Sequence, residues 1–176
     1  MLNAVYDFVV KYAPNVIQDN VFKGYQNRIS SPKCNNFIVI SLEDTLRIGT
    51  NISDYSSSQN NQYGANVLRD FIIAIDFCST KQEVAQEQAE IIETLCNSYI
   101  AVNFFNEYNL CFNYSDDVEY IPYVDLQQQY LHRYRVLLHI NKWKNAVVSQ
   151  QFADKVEITQ MIQNARIENI DTHHKP

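Results

Sequence analysis

Residues 2–13 place apolar side chains at Leu2, Val5, Tyr6, Val9 and Ala13, the three-to-four spacing that draws one stripe along a helix. Pro14 ends that pattern, because a proline inside a helix removes a hydrogen bond and clashes with the turn before it. Asn3 is of the residue type that caps a helix start. Residues 15–22 read as a short extended piece and 24–33 as a loop. Phe37-Ile38-Val39-Ile40-Ser41-Leu42 is β-branched and aromatic, which predicts a strand buried on both faces and continuing toward Arg47 and Ile48. From Gly49 to Tyr63 the apolar pattern thins out into Asn51, Ser53, Asp54, three serines and Gln59. This predicts a long polar arm between two strands, too long for a tight hairpin. Residues 67–78 then read as the clearest strand: Phe71, Ile73, Ile75 and Phe77 face one way, and Ile72, Ala74, Asp76 and Cys78 the other.

The period changes at Thr80, which with Glu83 has the spacing of a capping box. Val84, Gln88, Ile91 and Leu95, flanked by Ala85, Ala89, Ile92 and Cys96, predict a helix of about five turns. Its outer face carries Glu87, Glu90 and Glu93. Residues 98–109 fit either a continued helix or an irregular aromatic segment. Residues 110–114 and 118–124 read as two short strands around the turn Ser115-Asp116-Asp117. Residues 130–143 alternate again, with Tyr134, Val136, Leu138 and Ile140 opposite Arg135, Leu137 and His139. A last strand is expected at 155–161 and a polar tail after Arg166. The order predicts one α+β domain over residues 1–166, a mainly antiparallel sheet with helices on one face and a long polar hairpin arm, followed by a tail at 167–176.

Composition narrows the function. With 46% hydrophobic and 12% aromatic residues, the 176-residue chain fills a core and is not a disordered segment. Only three glycines occur, Gly24, Gly49 and Gly64, so no phosphate-cradling glycine loop can be built. The formal charge of −6 has no basic footprint for duplex DNA, and the longest basic cluster, His132-Arg133-Tyr134-Arg135, alternates with apolar residues as a strand does. Asp7 and Lys11 interrupt the first apolar stripe, so it reads as neither leader nor anchor, and no stretch has the length of a membrane span. Cofactor binding is not expected.

Chemistry finds little purchase. Cys34, Cys78, Cys96 and Cys111 lack CxxC or zinc spacing and read as reduced thiols. Cys34 with His132 or His139 would supply a thiol and a base, but cysteine in an apolar run is more often a small core residue. Asp116-Asp117 and Glu43-Asp44 are adjacent acids that read as solvated surface, since neighbours in an extended chain point to opposite faces. His173-His174 lacks a third metal ligand. Arg133 and Arg135 share one face of a strand, where two readings stand level: ion pairs to a neighbouring subunit, or partners within the chain. The arm likewise reads as a loop or as a hairpin that reaches a neighbour, through Asn51, Asp54, Tyr55 and Tyr63.

Two stretches carry a resemblance. Gly24-Tyr25-Gln26-Asn27, Pro32 and Asn36-Phe37-Ile38-Val39-Ile40 resemble the early Gln-Asn, proline and aromatic-led strand of the phage neck terminator family. Gln129-Tyr130-Leu131-His132-Arg133-Tyr134-Arg135 is similar to that family's late strand with its aromatic–basic beginning. Arg47-Ile48-Gly49-Thr50, the polar arm and the helix from Glu83-Val84-Ala85 follow the family's order over residues 2–158. The sequence departs from the family in Ser30-Ser31 and Lys33-Cys34-Asn35 around Pro32, where the family is richer in proline, and in the tail after Arg166. The resemblance implies a non-enzymatic virion protein that forms a ring, six-fold in the family, at the head-proximal end of the tail. Such a ring caps the tail tube and meets the head connector, with DNA passing through its lumen. It assembles in the host cytoplasm and has no membrane partner. Another head-closure or tail-tube component, or a small cytoplasmic binding module, are the alternatives.

Overall fold

A computed structural model describes residues 1–24, 35–56, 62–124 and 130–149. The expected strand at 155–161 and the tail after Arg166 lie outside the described residues, as does most of the early loop. Chain contacts define two compact units, Met1–Ile52 with Asn66–Asn145, and Ser53–Ala65 with Ala146–Pro176.

In the first unit, helix α1 (Leu2–Tyr12) buries Ala4, Val5, Phe8 and Val9, and ends where the Ala13 N–H bonds the Val9 carbonyl just before Pro14. No side chain caps its start. Asn3 lies one residue inside the helix, and its Oδ1 accepts from Lys23 Nζ at 2.6 Å, so the expected cap is spent on a tertiary contact instead. A 3-10 turn (Gln18–Asn20) leads into strand β1 (Val21–Lys23), which pairs parallel with residues 38–40 of β2 (Asn36–Ser56). Gly24 is where the chain leaves that pairing. Its N–H bonds the Ile40 carbonyl at 2.8 Å, and a Cβ there would meet Ser41 Cβ at 3.0 Å, so a side chain would push the strands apart.

Strand β3 (Gln62–Ser79) neighbours β2, and helix α2 (Gln82–Cys96) follows it. The predicted capping box is not used: Lys81 stands at the cap, and no side chain caps the helix. Thr80 is held by its backbone instead, donating to the Asn35 carbonyl at 3.0 Å, which extends the strand contact by one residue and delays the helix. At 15 residues α2 has about four turns rather than five. It buries Ala85, Gln88, Ala89, Ile92 and Cys96, while Glu87 and Glu90 are exposed. Buried Gln88 donates from Nε2 to the Pro14 carbonyl at 2.8 Å, tying α2 to the end of α1.

The segment at 98–109 is helical. Helix α3 (Tyr99–Glu107) is capped by Ser98 Oγ, which accepts from the Ile100 N–H. It ends with Asn109 at φ 55°, a left-handed turn asparagine tolerates, and with the Leu110 N–H on the Phe105 carbonyl at 3.1 Å. Strands β4 (Cys111–Ser115), β5 (Glu119–Tyr120) and β6 (Tyr123–Val124) all pair antiparallel with β7 (Tyr130–Ser149). The expected second short strand is thus divided at Ile121-Pro122, where proline has no N–H to offer a ladder.

Among the described residues the mostly antiparallel sheet has seven strands, in the order β1-β2-β3-β7-β4 with β5 and β6 also on β7. The alternation in β3 and β7 holds: Ile73, Ile75, Phe77, Val136, Leu138 and Ile140 are buried with the apolar faces of α1, α2 and α3. A second, smaller group of Phe37, Cys78 and Leu131, with Phe22 and Val39, uses the opposite side chains of the strands. The expected polar connection is largely strand, since β2 continues to Ser56 and β3 begins at Gln62. A neighbouring strand satisfies the backbone of a polar segment as fully as that of an apolar one, so the lack of apolar alternation did not prevent pairing.

Candidate interface

The strands place Arg133 and Arg135 on the sheet face that carries Asp76, since residues two apart on a strand point the same way. Arg135 meets Asp76 in a two-pronged contact, Nε to Oδ1 at 2.7 Å and Nη2 to Oδ2 at 2.9 Å. Its third nitrogen, Nη1, lies 3.1 Å from Glu43 Oε1. One guanidinium therefore ties β2, β3 and β7 together across the sheet, with the Asp76 side chain only 9% exposed. Of the two readings that the sequence left level for this arginine, the structure supplies the partners of the intramolecular one. Arg133 is half-buried beside it on the same face.

Farther along the same face, His139 is stacked on Tyr114, ring centroids 4.3 Å apart and planes 16° from parallel. Its Nδ1 donates to Asp70 Oδ2 at 2.7 Å, since a carboxylate only accepts, and Nε2 lies 3.5 Å from Asp116 Oδ2. Both Asp70 and His139 are buried. Asp70 Oδ1 has no hydrogen-bond partner among the described residues. Sequence reasoning missed both clusters and took Glu43 and Asp116 for solvated acids. The available signal was Asp76 and Asp70, charged residues at even positions of a strand whose odd positions from Phe71 to Phe77 are apolar.

The remaining expected interface residues divide between the units. Asn51, in the first unit, is exposed, and its Oδ1 accepts from Arg47 Nη2 at 2.8 Å. Arg47 Nε also donates to the Gly49 carbonyl at 3.0 Å, clasping the residue where β2 takes a φ of 77° that glycine alone adopts readily. In the second unit, Tyr63 and Ser53 join hydroxyl to hydroxyl at 2.9 Å. Asp54 and Tyr55 lie on β2, and their side chains are outside the described part.

Cys34, the one thiol weighed as a nucleophile, lies outside the described residues, and the other three fall into two environments. Burial, reinforced by Asp76, pushes the Cys78 thiol up to about 12, and burial raises that of Cys96 further. Cys111 is exposed on β4. Alkylation at neutral pH followed by peptide mass analysis is expected to modify Cys111 readily and Cys78 and Cys96 at least about a hundredfold more slowly. The folded Cys78 also keeps its proton at a pH where the unfolded chain has lost it. Stability is therefore expected to fall as pH rises from about 9 to about 12, by at most about 1.4 kcal/mol per pH unit for this thiol. Denaturation of the Cys78→Ala variant across that range checks this, since its stability should decline less steeply.

Among the described residues no cluster of three or more His, Cys, Asp or Glu could hold a metal ion, and no helix is long and apolar enough to cross a membrane. The ionic groups Glu43, Asp76 and Arg135, and likewise Asp70 and His139, are engaged with one another across the sheet. The family models carry this further: that of the phage neck terminator protein matches residues 1–165. The chain belongs to the phage neck terminator family and is a structural protein of the phage neck, located in the virion with other virion proteins as its partners. Comparison with curated proteins finds no match.

Proposed function

We propose that this neck protein works as a non-enzymatic closed ring of identical subunits at the head-proximal end of the tail, six in number as the family resemblance implies. The ring stops growth of the tail tube and offers the head connector a docking surface. The family match across residues 1–165 carries this reading. A cyclic ring needs two different surfaces that fit each other on successive copies. Exposed Asn51 and half-buried Tyr63, with Asp54 and Tyr55 as further members, are assigned to contacts with the neighbouring subunit, together with Arg133. Arg135 supports that surface from within, through Asp76 and Glu43. The formal charge of −6 suits a lumen through which DNA passes without sticking, because few cations are available to displace phosphate counterions. Assembly takes place in the host cytoplasm and involves no membrane, and residues 1–166 act as one functional domain.

Native mass measurement and negative-stain microscopy at low and high concentration test the proposal. Closed rings with a central hole, alone or on added tail tubes, are the expected result. A chain that stays monomeric at every concentration and leaves tail tubes uncapped overturns it.

A further inference from the structure

The two longest described strands, β2 and β7, each have within the first unit an edge stretch without a strand partner among the described residues. On β2, β1 pairs only with residues 38–40, and the strand continues to Ser56 with Leu42, Leu46 and Ile48 at 38%, 47% and 42% exposure. On β7, the pairing with β4 stops at Asn141, and the strand continues to Ser149 with Trp143 53% exposed. An edge strand with exposed apolar side chains is a template for another strand unless something covers it.

Charge decides which strand fits. Residues 42–52 of β2 carry Glu43, Asp44 and Arg47, a balance of −1, while residues 142–145 of β7 carry Lys142 and Lys144, a balance of +2. Glu43 is engaged by Arg135, which leaves exposed Asp44 as the acidic group at the β2 edge. Lys144 is held with Nζ 5.5 Å from the centre of the Phe71 ring, so its charge stays close to the sheet. Two β7 edges would bring lysines against lysines, and like charges across an interface suppress that pairing. A β2 edge against a β7 edge sets Asp44 against the lysines instead.

We infer that the β2 edge at residues 42–48 of one copy pairs with the β7 edge at residues 142–145 of the next, joining the sheets of adjacent subunits through backbone hydrogen bonds and an Asp44–lysine contact. The inference rests on the ring reading and specifies its interface. Such a contact is head-to-tail, and a head-to-tail contact repeated around an axis closes into a ring. Gly49, with its positive φ, lies just past the proposed paired stretch, within β2.

Hydrogen exchange of the full-length chain, as monomer and as assembled ring, tests the pairing. Amides of residues 42–48 and 142–145 are expected to exchange at least about tenfold more slowly in the ring. Reversing charge with Lys142→Glu/Lys144→Glu is expected to raise the concentration needed for assembly at least about tenfold, and adding Asp44→Lys to recover most of it. Protection already present in the monomer would mean that the chain's own residues 150–176 cover the edges, and would overturn the inference. Protection that appears only with added tail tubes and without rings would assign the edges to a different protein, with the same consequence. Rings whose edges exchange freely, or which ignore the charge reversals, would overturn the pairing and leave the ring standing. Absence of rings under every condition would remove both.

Discussion

Truncating Phe105 to alanine is expected to lower the unfolding free energy by about 3–5 kcal/mol, the range for removing a large aromatic side chain from a well-packed core. The residue is fully buried and sits where three elements meet. Its ring lies 5.2 Å from that of Phe8 on α1, 5.5 Å from Phe104 on its own helix, and 5.3 Å from Phe112 on β4, nearly parallel to the last. Its carbonyl also accepts the Leu110 N–H that turns the chain from α3 into β4. Little can collapse into the cavity, because its walls come from separate elements already fixed to the sheet. Against a total stability of about 5–15 kcal/mol for a domain, the variant should be largely unfolded at moderate urea concentrations. Urea denaturation followed by tyrosine fluorescence and circular dichroism measures it. Tyr99→Ala, at a position 76% exposed on the same helix, is the control and should change stability by no more than about 0.5 kcal/mol. A Phe105→Ala loss below about 1 kcal/mol would mean that the aromatic cluster does not set the position of the helices.

That cluster was half legible in the sequence, and the reason is physical. Periodicity reveals which side of an element is apolar, so the alternation in β3 and β7 and the stripes of α1 and α2 correctly assigned most of the core. It does not reveal which elements meet, and the aromatic run Phe104-Phe105 had no clear period, so α3 remained open. Local capping rules failed at Asn3 and Thr80 because both residues found tertiary partners, Lys23 and the Asn35 carbonyl. The polar arm was read from its lack of apolar side chains, whereas the strand forms through backbone pairing to which polar side chains are no obstacle. The interface was hardest. Arg135 announces a charge on a strand, but its partners Asp76 and Glu43 are 59 and 92 residues away in sequence (135−76 and 135−43), and only the sheet order brings them together.

Replacing Asp76 with asparagine is expected to cost about 3–5 kcal/mol, because it leaves the Arg135 guanidinium partly buried with its principal partner neutralised. The side chains of Asp76 and Arg135 are 9% and 22% exposed, so water recovers little of the lost interaction. Replacing both, as Asp76→Leu/Arg135→Met, should return stability to within about 1–2 kcal/mol of the natural chain, since two apolar groups of similar volume avoid both the desolvation and the unpaired charge. The pair of measurements separates the cost of breaking the ion pair from its net contribution, which a single substitution confounds. It also bears on assembly. With Arg135 acting from inside the subunit, the double variant should form rings at about the same concentration as the natural chain, because the proposed contact residues Asn51, Asp54, Tyr55, Tyr63 and Arg133 are untouched. A double variant that folds with native stability yet fails to assemble would make the guanidinium a contact to the next subunit, and the sheet face bearing Asp76 would then belong to the ring interface. A double variant as unstable as Asp76→Asn would instead show that Arg135 holds β2, β3 and β7 in register, a role no pair of apolar side chains could take over.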